Sequence, residues 1–202
     1  VKIKTISSPS ESKFKEKGSL FIGKAFPISD KNESKKILSD IRKEYYDATH
    51  HCYAYIAGDN EKFSDDGEPS GTAGKRILNA LNHCELKNVL VIVVRYFGGV
   101  KLGVGPLGKA YYNSALETLQ NAETIEKTYF NKIKIEYEYP LTKTIHHFIN
   151  KFGAIKIEND FESTPVMYCF ISADSVDNFR SNLLSAVNNS VKINISDSKY
   201  LF

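Results

Sequence analysis

The sequence predicts an α+β protein built from two domains, and three observations carry that expectation. From residue 124 onward, strand and helix periodicities follow one another as β-α-β-β-α-β, the order of the ferredoxin-like fold. Residues 1–123 mix strand and helix patterns in a different order, and the small basic excess of the chain, a net charge of +3, resides in that first part. A chain of 202 residues is long enough for two small cores. The expected division is therefore 1–123 and 124–202, with the junction near 122–128.

In the first part, Leu20 to Ile28 reads as a strand. Asp30, followed three places later by Glu33, resembles a capping box that opens a helix with Ile37, Leu38, Ile41 and Tyr45 inward. A strand over 50–57 follows, then turn chemistry at Gly58, Asp59 and Asn60 and a short return strand over 61–64. Thr72 to Cys84 carries a helical apolar face of Ile77, Leu78 and Leu81. Val89 to Val94 is continuously apolar and largely β-branched, the pattern of a strand covered on both faces. Helical spacing resumes after Gly108 through Tyr111, Ala115 and Leu119.

The second part opens with the cleanest alternation in the chain. Ile133, Ile135, Tyr137 and Tyr139 share one face of a strand over 131–139, and Lys132, Lys134, Glu136 and Glu138 share the other. Leu141, Ile145, Phe148, Ile149 and Phe152 then recur at helical spacing, with Gly153 as the terminator. Strand patterns at 155–161 and 166–171, a helical face of Val176, Phe179, Leu183 and Val187, and alternation through Val191, Ile193 and Ile195 complete the series. In this arrangement two helices cover one face of an antiparallel sheet and leave the other polar.

Composition narrows the functional classes. Apolar residues make up 42% and charged residues 25%, ordinary globular usage, and no segment approaches the roughly 20 apolar residues of a membrane span. No secretory pattern is visible, and Cys52, Cys84 and Cys169 are odd in number and widely spaced, which predicts reduced thiols and a cytoplasmic protein. No cofactor is expected. Gly103, Gly105 and Gly108 match G-x-G-x-x-G, but residues 98–102 separate them from the strand and Pro106 interrupts them, the wrong context for a dinucleotide fingerprint.

Two loops stand out. S-D-D-G-E-P-S-G-T-A-G at 64–74 packs three carboxylates and three glycines between a strand and a helix, and R-Y-F-G-G-V-K-L-G-V-G-P-L-G-K spans 95–109. If the strands over 61–64 and 89–97 are parallel partners, both loops emerge at one sheet end, an acidic loop facing a basic one. Each runs into a helix N-terminus, whose free N–H groups favour an anion, so Arg95, Lys101, Gly103, Gly105, Gly108 and Lys109 are the candidate anion or nucleic-acid site. The alternative is that the glycines serve tight turns while Asp65 or Asp66 pairs with Arg95.

An enzymatic reading uses other residues. Asp65, Asp66 and Glu68, with His50 or Cys52, form the candidate catalytic set of a small hydrolase, possible with a divalent metal. Adjacent strand residues point to opposite faces, so of His50, His51 and Cys52 only the first and third share a side. Two such ligands do not make a metal site, and none is expected.

The two loops, with D-A-T-H-H-C-Y-A-Y at 47–55 and K-N-V-L-V-I-V-V-R-Y-F-G-G at 87–99, resemble the IMPACT family over about residues 16–125. The remaining domain is similar to that of its bacterial, YigZ-like members. The resemblance implies an N-terminal domain like domain IV of elongation factor G, a ribosomal-protein-like βα fold, and a ferredoxin-like C-terminal domain. It implies translation regulation, with RNA, the ribosome or a translation-factor protein as partner, and no membrane. Eukaryotic relatives bind a ribosome-associated activator and restrain a kinase that senses uncharged tRNA, but they carry other appended domains, so that partner does not transfer. The family pattern implies a basic residue near Leu20 and often glycine where Pro106 stands. This sequence departs at both, which reduces the positive surface and stiffens the second loop.

Overall fold

A computed structural model describes residues 2–160 and 164–202. The chain gathers into two compact units, Ile3–Glu126 and Lys127–Phe202, the latter with the first residues of the chain. The α+β class is the one expected.

The first unit carries, in chain order, β1 (Lys2–Ile6), β2 (Ser10–Glu16), β3 (Ser19–Pro27), α1 (Lys31–Glu44), β4 (His50–Ala57), β5 (Asn60–Ser64), α2 (Gly74–His83), β6 (Val89–Tyr96) and α3 (Val104–Gln120). Its sheet has the order β2-β3-β6-β4-β5, with every neighbouring pair antiparallel. β6 lies at the centre and is covered twice, as its composition predicts. Val89, Val91 and Val93 enter one core with Ile77, Leu81 and Tyr111 of α2 and α3, while Leu90, Ile92 and Val94 enter a second with Ile37, Leu38 and Ile41 of α1.

Local sequence explains the main boundaries. Asp30 accepts hydrogen bonds from the backbone N–H groups of Asn32 and Glu33, satisfying donors that the first turn of α1 leaves free. Glu33 reaches back one residue further than a capping box requires and accepts from Ser29 N–H at 2.7 Å. β1 and β2 are not anticipated from the sequence. β2 is a polar edge strand whose inward residues are few, and Phe14 stacks on Phe21 with ring centroids 5.0 Å apart.

One expectation about the sheet needs correction. β5 and β6 are not hydrogen-bonded partners, because β4 lies between them and is antiparallel to both. Two antiparallel steps nevertheless leave β5 and β6 running in the same direction. The loops that follow them therefore leave the sheet at one end, although the crossover through α2 skips a strand. A second correction concerns α3, which begins at Val104 rather than after Gly108. Gly103 takes the capping position at φ +88, a conformation costly for residues with a Cβ, and Pro106 falls in the first turn, where its missing N–H is no loss.

The second unit contains β7 (Thr124–Glu136), α4 (Thr142–Lys151), β8 (Ile155–Asp160), β9 (Val166–Ser172), α5 (Val176–Ala186) and β10 (Lys192–Leu201). Its sheet has five strands: β10-β7-β9-β8, antiparallel pairs in the order of the ferredoxin-like fold, and β1, whose Lys2 belongs to this unit, which also pairs with β7. Ile133, Ile135, Ile145, Ile149, Phe179 and Leu183 lie at its core. β7 ends at Glu136, earlier than the alternation suggests, because Pro140 sits in a 3₁₀ turn over Tyr139–Leu141 and leaves Tyr139 exposed. Phe161, included in the expected strand over 155–161, lies outside the described residues.

Candidate functional site

The acidic loop following β5 turns its carboxylates inward. Asp65 Oδ1 accepts from Ala73 N–H at 3.0 Å and Gly74 N–H at 2.8 Å, and its Oδ2 accepts from Gly71 N–H at 2.8 Å. This carboxylate thus fills the anion position at the N-terminus of α2, across a loop of eight residues. Gly74 is needed for that closeness, since a Cβ there would lie 2.6 Å from the backbone of Ser64. Asp66, held at φ +44, accepts from Arg42 Nη2 at 2.6 Å and from His51 N–H at 2.7 Å, fastening the loop to α1 and β4.

Glu68 reaches deepest. Arg95 Nη1 donates to its Oε1 at 2.5 Å and the Tyr111 hydroxyl donates to the same oxygen at 2.7 Å, with both charged side chains nearly excluded from solvent. The partner of Arg95 is Glu68 rather than Asp65 or Asp66. Arg95 also donates from Nη2 to Ser19 Oγ at 3.2 Å, and its guanidinium lies 5.4 Å from the Phe21 ring and 5.5 Å from the Phe97 ring. Arg95 Nε is buried without a hydrogen-bond partner.

His50 and Cys52 share a side of β4, as strand geometry requires, but differ in character. His50 Nδ1 is 2.8 Å from the Asp66 carbonyl oxygen, which can only accept, so Nδ1 carries the hydrogen. Its Nε2 lies 3.8 Å from Glu68 Oε2. Cys52 is fully buried, with Sγ 3.0 Å from the Asp65 carbonyl oxygen and 3.3 Å from the Tyr111 hydroxyl. Burial, with Glu68, Asp66 and Asp65 nearby, pushes its thiol far above the ordinary range, the opposite of what an attacking thiolate needs. Among the described residues, no three His, Cys, Asp or Glu side chains are grouped to hold a metal ion.

A cavity of about 430 Å³ opens where the two loops meet, lined by His50, Glu68, Arg95, Phe97, Lys101 and Gly103, with Leu102, Val104 and Leu107 as apolar wall. The candidate cationic residues divide. Arg95 is at the buried floor and Lys101 at the wall, whereas Lys109 is exposed on α3 and does not line the cavity. Lys109 stands four residues beyond Gly105, on the same face of α3, and helical side chains lean toward the N-terminus.

The glycines divide as well. Gly98 permits a backbone crossing, since a Cβ there would lie 1.9 Å from the carbonyl carbon of Gly18, and Gly108 packs against Arg76 between α2 and α3. A Cβ on Gly105 would meet nothing within 4 Å, so its position at the start of α3 carries no packing demand. The N-terminus of α3 has neither a side-chain cap nor an acidic residue in its first turn. Around it Phe97 is 45%, Val100 53% and Val104 67% exposed. The contributions of Ser19, Tyr111, Phe97 and Leu107 are not evident from sequence; the aromatic pair Tyr96 and Phe97 ahead of the glycines is the one local signal.

The family model for the Impact N-terminal domain matches residues 17–119. The chain is 39% identical to the IMPACT family member YvyE of Bacillus subtilis over 126 residues, covering 61% of this chain and 58% of that protein. It is 34% identical to the IMPACT family member YigZ of Escherichia coli over 155 residues, covering 74% of this chain and 76% of that one. A crystal structure described as that of a hypothetical protein superposes with a TM-score of 0.70 at 28% identity, covering 98% of both chains.

Proposed function

Because the chain belongs to the IMPACT family, we propose that it is a cytoplasmic, translation-linked regulator whose N-terminal unit associates with RNA, on the ribosome or beside a translation factor. The observation that carries this reading is the contrast at the two helix starts: α2 is closed by Asp65, while α3 is open beside Lys101 and Lys109. Free N–H groups at a helix start attract phosphate, and the exposed Phe97 ring offers a stacking surface for a base. No helix among the described residues is long and apolar enough to cross a membrane.

The test is RNA binding as a function of salt. Replacing Lys101 and Lys109 together by glutamine removes two phosphate contacts and flattens a single-strand salt slope by about 1.4. An unchanged slope and affinity would reject the loop as the contact surface.

A second reading, a small hydrolase, is favoured by one observation, the facing of His50 Nε2 and Glu68 Oε2 inside the cavity. It expects turnover of an ester, phosphoester or amide substrate that His50→Gln abolishes without changing the melting temperature. Screening with and without Mg²⁺ and finding no turnover rejects it.

A further inference from the structure

The ferredoxin-like sheet keeps α4 and α5 on one face, where Ile133, Ile135, Cys169 and Ile171 join the core. The alternate residues face the other way, and they are not the uniformly polar set expected of such a sheet. On the two central strands they include Phe130 and Lys132 of β7 and Tyr168 and Phe170 of β9, with Lys132 paired across to Phe170 and Lys134 to Tyr168. β10 places Tyr200 opposite Phe130, and Phe202 exchanges backbone hydrogen bonds with Thr128.

These rings form a connected surface. Phe170 meets Tyr200 at 5.0 Å and Phe202 at 5.3 Å between centroids, and Phe130 meets Phe202 at 5.7 Å, all edge to face. Tyr200 and Phe202 each remain 37% exposed. Cations are interleaved with them: Lys132 Nζ lies 5.2 Å from the Tyr168 ring centroid and Lys156 Nζ 3.8 Å from that of Phe202.

We propose that this open face binds single-stranded RNA, with unstacked bases on Tyr168, Phe170 and Tyr200 and phosphates at Lys132 and Lys156. Flat rings on adjacent strands accept successive bases because every base has a π face, and lysines among the rings complement the backbone that joins those bases. The charge pattern sets where the strand lies. Lys134 is tied to Glu136 at 2.7 Å, and Glu158 pairs across to Tyr168, so carboxylates occupy one end of the face. RNA therefore runs from Tyr168, beside Lys132, away from those carboxylates toward the end where Phe130, Phe170, Tyr200 and Phe202 gather beside Lys156. A duplex is excluded because its bases are already stacked and paired.

This deepens the RNA reading above but rests on different residues, so the two can fail separately. The experiment measures binding of a labelled ten-nucleotide single strand, and of a duplex of the same sequence, to the full chain. Tyr168→Leu and Tyr200→Leu retain apolar bulk but remove the ring, and each weakens single-strand binding about 5- to 150-fold. Lys132→Gln with Lys156→Gln flattens the salt slope by about 1.4. Affinity unchanged in the ring variants overturns the proposal, as does equal affinity for duplex and single strand, or no binding by the wild type at low salt. Loss of binding in the Lys101→Gln, Lys109→Gln chain alone leaves the loop reading standing and this one refuted; loss in the ring variants alone does the reverse. Should the ring variants unfold, crosslinking of 4-thiouridine RNA to the wild type decides. Adducts on β7, β9 or β10 support the proposal, and adducts confined to Ile3–Glu126 overturn it.

Discussion

The acidic loop over 64–74 and the glycine-rich loop over 97–109 leave the same end of one sheet and each precedes a helix, yet they use their charges in opposite ways. Asp65, Asp66 and Glu68 are consumed internally, by the start of α2, by Arg42 and His51, and by Arg95 and Tyr111. Lys101 and Lys109 are exposed, and among the described residues neither is engaged by a carboxylate. The difference follows from reach. Asp65 can fold back onto the N–H groups of its own helix, whereas α3 is preceded by a loop with no carboxylate to do so. One loop is a structural clasp, and the other leaves its helix start available to an outside anion.

The sharpest way to break that contrast is to empty the clasp. Glu68→Ala leaves the buried Arg95 without its carboxylate and is expected to cost about 3–5 kcal/mol, read from the urea midpoint of the N-terminal unit. A loss below about 1 kcal/mol would mean the pair is solvated and the cavity floor misassigned. Asp65→Ala removes the acceptor of three backbone N–H groups and is expected to cost about 1–2 kcal/mol, measured the same way. The opposite loop should respond differently. Gly105→Ala, at a helical position with open space around it, is expected to stabilise by up to about 1 kcal/mol. Lys101→Gln and Lys109→Gln should shift stability by no more than about 0.5 kcal/mol while altering RNA binding, and a larger shift would mean these lysines belong to the clasp.

A further comparison is with α1. Asp30 caps that helix, and the N–H groups of Glu33 and Asn32 hold its carboxyl below the usual range. Its folded-state value is therefore depressed, so its contribution is present at neutral pH and is lost as pH falls through the unfolded and then the folded value. Asp30→Asn keeps the cap and should remove that part of the acid sensitivity, a smaller effect than any above.

Much of the fold was legible because burial imposes period. The run Val89 to Val94 announced a strand with two covered faces, and Ile133 and Ile135 announced a strand with one. β2 was illegible because an edge strand with few inward residues has little pattern to show. The site was legible as two loops but not as a set of contacts. Which carboxylate meets Arg95 depends on loop length and on the φ of Asp66, and neither is expressed in residue type. Of the three glycines read as one anion-binding loop, Gly108 also packs against Arg76, a neighbour far away in sequence that no local pattern announces.

β6 has a further consequence. It is flanked by β3 and β4 and roofed on both sides by separate cores, so no local fraying can bring its central amides to water. Those amides can trade hydrogen for deuterium only when the whole N-terminal unit comes apart. Val91 and Ile92, adjacent in the chain but seated in different cores, should therefore show one shared opening free energy, a built-in gauge of the stability of the folded unit.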